Sequence, residues 1–97
     1  MSTRVHYTKD AERDLDAIAE YTRAHGGVTQ CAKYLDFLER TCEQILPSNL
    51  KHARPVPQRP QLLRWRCERH VLYLRRIEGG IEIVRILHER MLPEKHL

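Results

Sequence analysis

Apolar residues recur along this chain with two different periods, and the change of period divides it into a helical half and a sheet half. Ala11, Leu15, Ile18, Ala19 and Thr22 follow helical spacing, and a second helical stripe runs through Cys31, Tyr34, Leu35, Leu38, Cys42 and Ile45. Thr8 is placed to cap the first helix, with Asp10 and Glu12 in the first turn where the helix dipole favours acids. Gly26-Gly27 ends it, and Thr29 can cap the second. Pro47 stops the second helix, because a residue before proline, here Leu46, is pushed out of the helical region. Two helices joined by a short Gly link predict an antiparallel hairpin.

The strand signals bracket that hairpin. Val5-His6-Tyr7 reads as a short first strand. Residues 48–60 hold Pro55, Pro57 and Pro60, show no periodicity, and read as a loop that is long for so small a chain. Beyond it Leu63, Trp65 and Cys67 alternate with Arg64 and Arg66, a period of two. His70–Ile77 and Ile81–His88 are nearly continuous in apolar and β-branched residues, as in central strands covered on both faces, and Glu78-Gly79-Gly80 supplies the turn between them. Residues 92–97 read as a polar tail. The order is β-α-α-β-β-β, an α+β domain spanning residues 1–97 with a helical hairpin packed on a mainly antiparallel sheet.

Composition narrows the setting. The chain is 41% hydrophobic and 31% charged, and it has no apolar run near the roughly 18 residues of a membrane helix. Met1-Ser2-Thr3-Arg4 leads straight toward a strand rather than a leader, so a cytoplasmic protein without membrane association is expected. Cys31, Cys42 and Cys67 form no CxxC pair; the first two fall on a helical apolar face and read as small buried hydrophobes. Cys67-Glu68-Arg69-His70 has metal-ligand spacing without a second pair, so neither metal nor cofactor is expected. Charge is divided unevenly. Residues 1–50 carry six Lys/Arg against eight Asp/Glu, and residues 51–97 carry eleven against five. The second half is the one suited to an acidic partner.

Several segments together resemble one family. Tyr7 to Thr22, Cys31-Ala32-Lys33-Tyr34-Leu35, His70-Val71-Leu72-Tyr73 and above all Arg85-Ile86-Leu87-His88-Glu89-Arg90-Met91 are similar, in order and spacing, to the ParE/RelE superfamily of bacterial type II toxin–antitoxin toxins, and more to its ParE branch. The resemblance covers nearly the whole chain. Two departures concern loops: members often have a Gly in the turn that is Cys67-Glu68-Arg69-His70 here, and another in the proline-rich loop around Lys51–Arg54.

What the resemblance implies is a growth-arresting toxin. ParE-like members bind DNA gyrase and trap it on cleaved DNA; RelE-like members cut mRNA in the ribosomal A site. The first reading places the target surface on Arg64, Arg66, Arg69, His70, Arg85, His88, Arg90 and Met91, with no catalytic residue. The alternative endoribonuclease needs a base, an acid and cations around a phosphorane. Arg85, His88, Glu68 and Arg64 would supply them, helped by Arg66 and Arg69, although a lysine-rich segment and a C-terminal tyrosine are lacking and the last Tyr is Tyr73. A third reading is a degenerate toxin fold kept as a binding module. The resemblance also implies a ParD-like antitoxin whose acidic tail wraps the toxin in a 2:2 complex and which alone contacts DNA.

Each candidate also has a purely structural role. Arg85 shares strand parity with Ile81, Ile83 and Leu87, as a paired Arg at the rim of the core would. His88 and His70 suit locally hydrogen-bonded strand ends. Arg64 and Arg66, opposite Trp65, suit the solvated face of an edge strand, and Trp65 and Tyr73 suit the core.

Overall fold

The computed structural model describes residues 4–97, so the expectation concerning Met1, Ser2 and Thr3 lies outside the described residues. Strand β1 (Arg4–Tyr7) leads through Thr8 into the helical stretch α1 (Lys9–Arg40). Thr8 caps it as its position predicts, its Oγ1 accepting from Ala11 N at 3.0 Å. Gly27 breaks the stretch, with φ 84° and ψ 174°. That left-handed φ suits glycine, and the chain reverses there. Cys31 Sγ lies 3.3 Å from the Ala19 carbonyl oxygen, whereas an unbroken helix would carry residues twelve apart to about 18 Å. The hairpin is therefore present, as two arms of α1. Helical conformation resumes directly after Gly27, so Thr29 sits inside the second arm rather than capping it.

The second arm does not run as a plain α-helix to Pro47. It passes into a π-helical turn (Thr41–Ile45), and Leu46 stays helical before Pro47, at φ −61° and ψ −47°, leading on into a 3-10 helix (Pro47–His52). The proline-rich stretch read as a loop is also ordered. Arg54–Val56 forms β2, which pairs antiparallel with β3 (Arg59–Cys67). Pro55 sits on an edge strand, which tolerates a missing N–H, Pro57 lies in the turn, and Pro60 lies near the start of β3, ahead of its pairing with β4 at Leu63. Strands β4 (His70–Ile77) and β5 (Gly80–His88) complete a five-stranded sheet of order β1-β5-β4-β3-β2. All pairings are antiparallel except β1 with β5. Thus β2 covers the outer edge of β3 as far as Arg64, which is not on an open edge, while Arg66 lies beyond that pairing.

Both faces of the sheet are covered, as the continuous apolar runs predict. The helical arms bury Ala11, Ile18, Leu38, Cys42 and Leu46 against Leu63, Cys67, Leu72, Leu74, Ile81, Ile83 and Ile86. Each such aliphatic side chain contributes about 1.5–3 kcal/mol when fully buried. On the opposite face Val56, Leu62, Val71, Tyr73 and Leu87 form a smaller cluster against which Leu97 packs. The tail is therefore docked: it makes a 3-10 turn (Pro93–Lys95) and returns to the sheet.

One irregularity changes strand parity. Tyr73 pairs with Arg85 and Leu74 with Ile83, leaving Val84 as the extra residue of a β-bulge. Ile81 and Ile83 face the helices, but after the bulge Ile86 takes that face and Leu87 the other. The parity read from the sequence, which joined Arg85 and Leu87 to Ile81 and Ile83, fails across this bulge.

Candidate functional site

Strand β1 covers β5 only from Gly80 to Ile83, which leaves the rest of that edge to the start of α1. Thr8 N donates to Ile83 O (3.0 Å) and Thr8 Oγ1 to Val84 O (2.7 Å). Six residues further on, Asp14 accepts from Ile86 N at 2.8 Å. The same carboxylate takes Arg85 in a two-pronged pair, Nε to Oδ2 at 2.8 Å and Nη2 to Oδ1 at 2.9 Å. Arg85 Nη1 donates to the carbonyl of His96 at 2.8 Å, tying down the tail. The pair is largely sheltered, the side chains being 18% and 13% exposed. Its planar fork geometry is the strong form of a charge-assisted hydrogen bond, and Asp14 holds the Arg85 guanidinium firmly in its charged form.

At the end of the sheet, His70 and His88 face each other across β4 and β5, ring centroids 5.4 Å apart and nearly perpendicular. Both lie on the helix-covered face, in register with Cys67. The Tyr34 hydroxyl from the second arm of α1 lies 2.5 Å from His70 Nδ1. Burial, reinforced by the neighbouring His88, pushes His70 down to about 4, so it is neutral at pH 7 and accepts from that hydroxyl. Burial likewise pushes Tyr34 up to about 12. Arg90 N donates to His88 Nδ1 at 3.2 Å.

Glu68 and Arg69 form the exposed turn between β3 and β4, with Glu68 at φ 58°. Glu89 N donates to Arg69 O at 2.8 Å, which fastens this turn to the end of β5, and Glu89 also holds Arg66.

Arg54, Arg64, Tyr73 and Arg85 stand in one row across β2, β3, β4 and β5, on the face away from the helices. Tyr73 is buried there and burial raises its phenol, while Arg64 opposes that shift. Arg64, Arg66, Arg69 and Arg90 are exposed, and beside Arg90 the apolar side chains of Met91 and Leu92 are 36% and 49% exposed.

The candidates therefore separate. Arg64 and Arg66 lie on one face of the sheet, His70 and His88 on the other, Glu68 in a turn, and Arg85 in an internal ion pair. A phosphate cannot meet the arginine row and the imidazoles at once, since the sheet lies between them. Sequence reasoning missed Asp14, Tyr34, Glu89 and His96 as partners. None of the four left a distinguishing signal: Asp14 lies six residues past the capping Thr8, and nothing in the sequence separates it from Asp10 or Asp16.

Comparison with known proteins gives a consistent result. The family model for the ParE toxin of the type II toxin–antitoxin system parDE matches residues 5–93. Toxin ParE of Escherichia coli is 34% identical over 85 residues, covering 87% of this chain and 82% of that protein. Among solved structures, the chromosomal ParDE system of P. aeruginosa superposes with a TM-score of 0.76 at 19% identity, covering 90% of this chain and 96% of that one. The RelBE2 toxin–antitoxin complex of Mycobacterium tuberculosis superposes at 0.69 with 17% identity, covering 91% and 99%.

Proposed function

This chain belongs to the ParE family of type II toxin–antitoxin toxins, and on that premise we propose that it arrests growth by binding DNA gyrase and holding it on cleaved DNA. The observation that carries this reading is the separation of the candidate residues. General acid–base cleavage of RNA needs a proton-transfer group within hydrogen-bond reach of a cation-bound phosphate. The imidazoles and the row of Arg54, Arg64 and Arg85 lie on opposite faces, and Arg85 is engaged by Asp14 and His96. His70 is held neutral by burial and bonded to the Tyr34 hydroxyl, and the cations beside the imidazoles are Arg69 and Arg90, both exposed. An exposed surface of Arg64, Arg66, Arg69, Arg90 and Met91 suits binding rather than chemistry.

An antitoxin partner is part of the same proposal. The solved neighbours are toxin–antitoxin complexes, and the arginine-bearing sheet face suits an acidic segment laid across it. The complex would hold two copies of each chain, with DNA contacted by the antitoxin.

The test is a supercoiling and cleavage assay with purified gyrase and plasmid. Accumulation of linear DNA covalently attached to gyrase, lost on addition of the antitoxin, is the expected result. Undisturbed gyrase together with mRNA cleavage in arrested cells would overturn the proposal in favour of the ribosome.

A further inference from the structure

The helical half carries a cleft opposite in charge to the arginine-bearing sheet. It opens between the end of β1 and the two arms of α1 and has a volume of about 270 Å³. Leu15, Leu35, Leu38 and Cys42 form its floor and Tyr7 one wall. Leu38 and Cys42 are 0% and 1% exposed, so the packing that seats the helices on the sheet also fixes this floor. Glu12, Glu39 and Glu43 line the rim, and no Lys or Arg lines it among the described residues.

These carboxylates are poorly compensated. Glu39 and Glu43 stand one turn apart, and burial together with hydrogen bonding to Glu39 and its charge raises the carboxyl of Glu43. The adjoining depression adds Asp36, whose salt bridge already takes up Arg40. Separately, each acid would be an ordinary solvated surface group. Set around an apolar floor, they leave a site lacking both an apolar side chain and positive charge.

We propose that this cleft docks a basic segment of a partner protein. The segment sets a leucine-sized side chain on the partly exposed Leu15 and Leu35, and Lys or Arg against Glu12, Glu39 and Glu43. Apolar anchors in a groove supply affinity, and the charged rim selects the partner and speeds its arrival. This occupant is opposite in sign to the acidic segment proposed for the arginine face and does not depend on gyrase being the target. A single partner reaching both surfaces would have to change sign along its length.

The experiment uses the full chain and a fluorescein-labelled 15-residue helical peptide, with Leu at one-turn spacing and Lys flanking it, against the same peptide with Glu for Lys. Fluorescence anisotropy is expected to show the Lys peptide binding at least about tenfold more tightly. Its affinity should fall steeply between 0.05 and 0.5 M salt, as screening predicts. Glu39→Gln with Glu43→Gln should weaken it by about five- to tenfold, since each exposed pair contributes modestly. The charge-matched Asp16→Asn with Glu20→Gln, on the exposed side of the first arm, should leave it unchanged. Circular dichroism checks that every variant is folded. Equal binding of the two peptides, or indifference to the Glu39/Glu43 changes, would overturn the proposal. So would a dimer in sedimentation velocity that those changes dissolve, which would make a second copy of this chain the occupant.

Discussion

Asp14→Ala should be among the most destabilising single changes outside the apolar core. The Asp14 carboxylate accepts three hydrogen bonds, two from Arg85 and one from Ile86 N. Removing it strands a guanidinium whose side chain is 18% exposed and frees a strand-edge N–H. Breaking a buried ion pair by deleting one partner costs about 3–5 kcal/mol, and an unsatisfied backbone donor about 1–3 kcal/mol. Water reaches part of the pair, so we expect about 3 kcal/mol in all. In a domain with about 5–10 kcal/mol of total stability, that lowers Tm by roughly 12–24 °C at about 4–8 °C per kcal/mol. Trp65, packed against the core from β3, gives a fluorescence probe for urea unfolding. A double-mutant cycle with Arg85→Met isolates the pair, because Ile86 N keeps its acceptor in that variant. A coupling of about 2 kcal/mol is expected, surviving 0.5 M salt better than a surface pair would. A loss below about 1 kcal/mol for Asp14→Ala, or a coupling near zero, would refute the view that the pair clamps β5 and the tail to α1.

Three further outcomes are expected. Burial holds His70 near 4 in the folded protein against about 6.5 when unfolded, so the unfolded chain takes up the proton first. Stability present above about pH 6.5 should therefore decline by roughly 1–3 kcal/mol as pH falls toward 4 and level off below; urea midpoints across that window should show it, and His70→Gln should flatten the slope relative to the parent. Glu68→Gly should stabilise by about 0.5–1 kcal/mol, because a residue at φ 58° gains from losing its Cβ; unchanged or lower thermal stability would count against strain in that turn. Gly80→Ala should destabilise by about 1–3 kcal/mol, since a Cβ there would collide with the Arg4 carbonyl where β1 joins β5; a Tm equal to that of the parent would contradict the packing at that edge.

Much of the local chemistry that acts over a few residues was legible in the sequence, though Thr29 caps nothing. Thr8 caps α1, Gly27 breaks it, Leu63, Trp65 and Cys67 face the helices while Arg64 and Arg66 do not, and the last two strands are interior. Each follows from a steric preference or a period that neighbouring residues already fix. Register and long-range partners were not legible. The bulge at Val84 reversed parity along β5, and only the pairing of β4 with β5 reveals it. The proline-rich stretch gained a strand because β3 offered an open edge, and the polar tail docked because Leu97 and Arg85 gave it apolar and hydrogen-bonding anchors. The residues picked out as a site shared a sequence neighbourhood, but strand alternation sent them to opposite faces. Asp14 became the partner of Arg85, 71 residues away, because β1 is too short to cover β5 and the first turns of α1 lie along the edge it leaves. The sequence by itself determined those elements whose causes are local: β1, the two helical arms and strands β3 to β5. The tertiary structure decided which side chains meet, because backbone groups left unpaired at one strand's edge must find acceptors from wherever the chain returns.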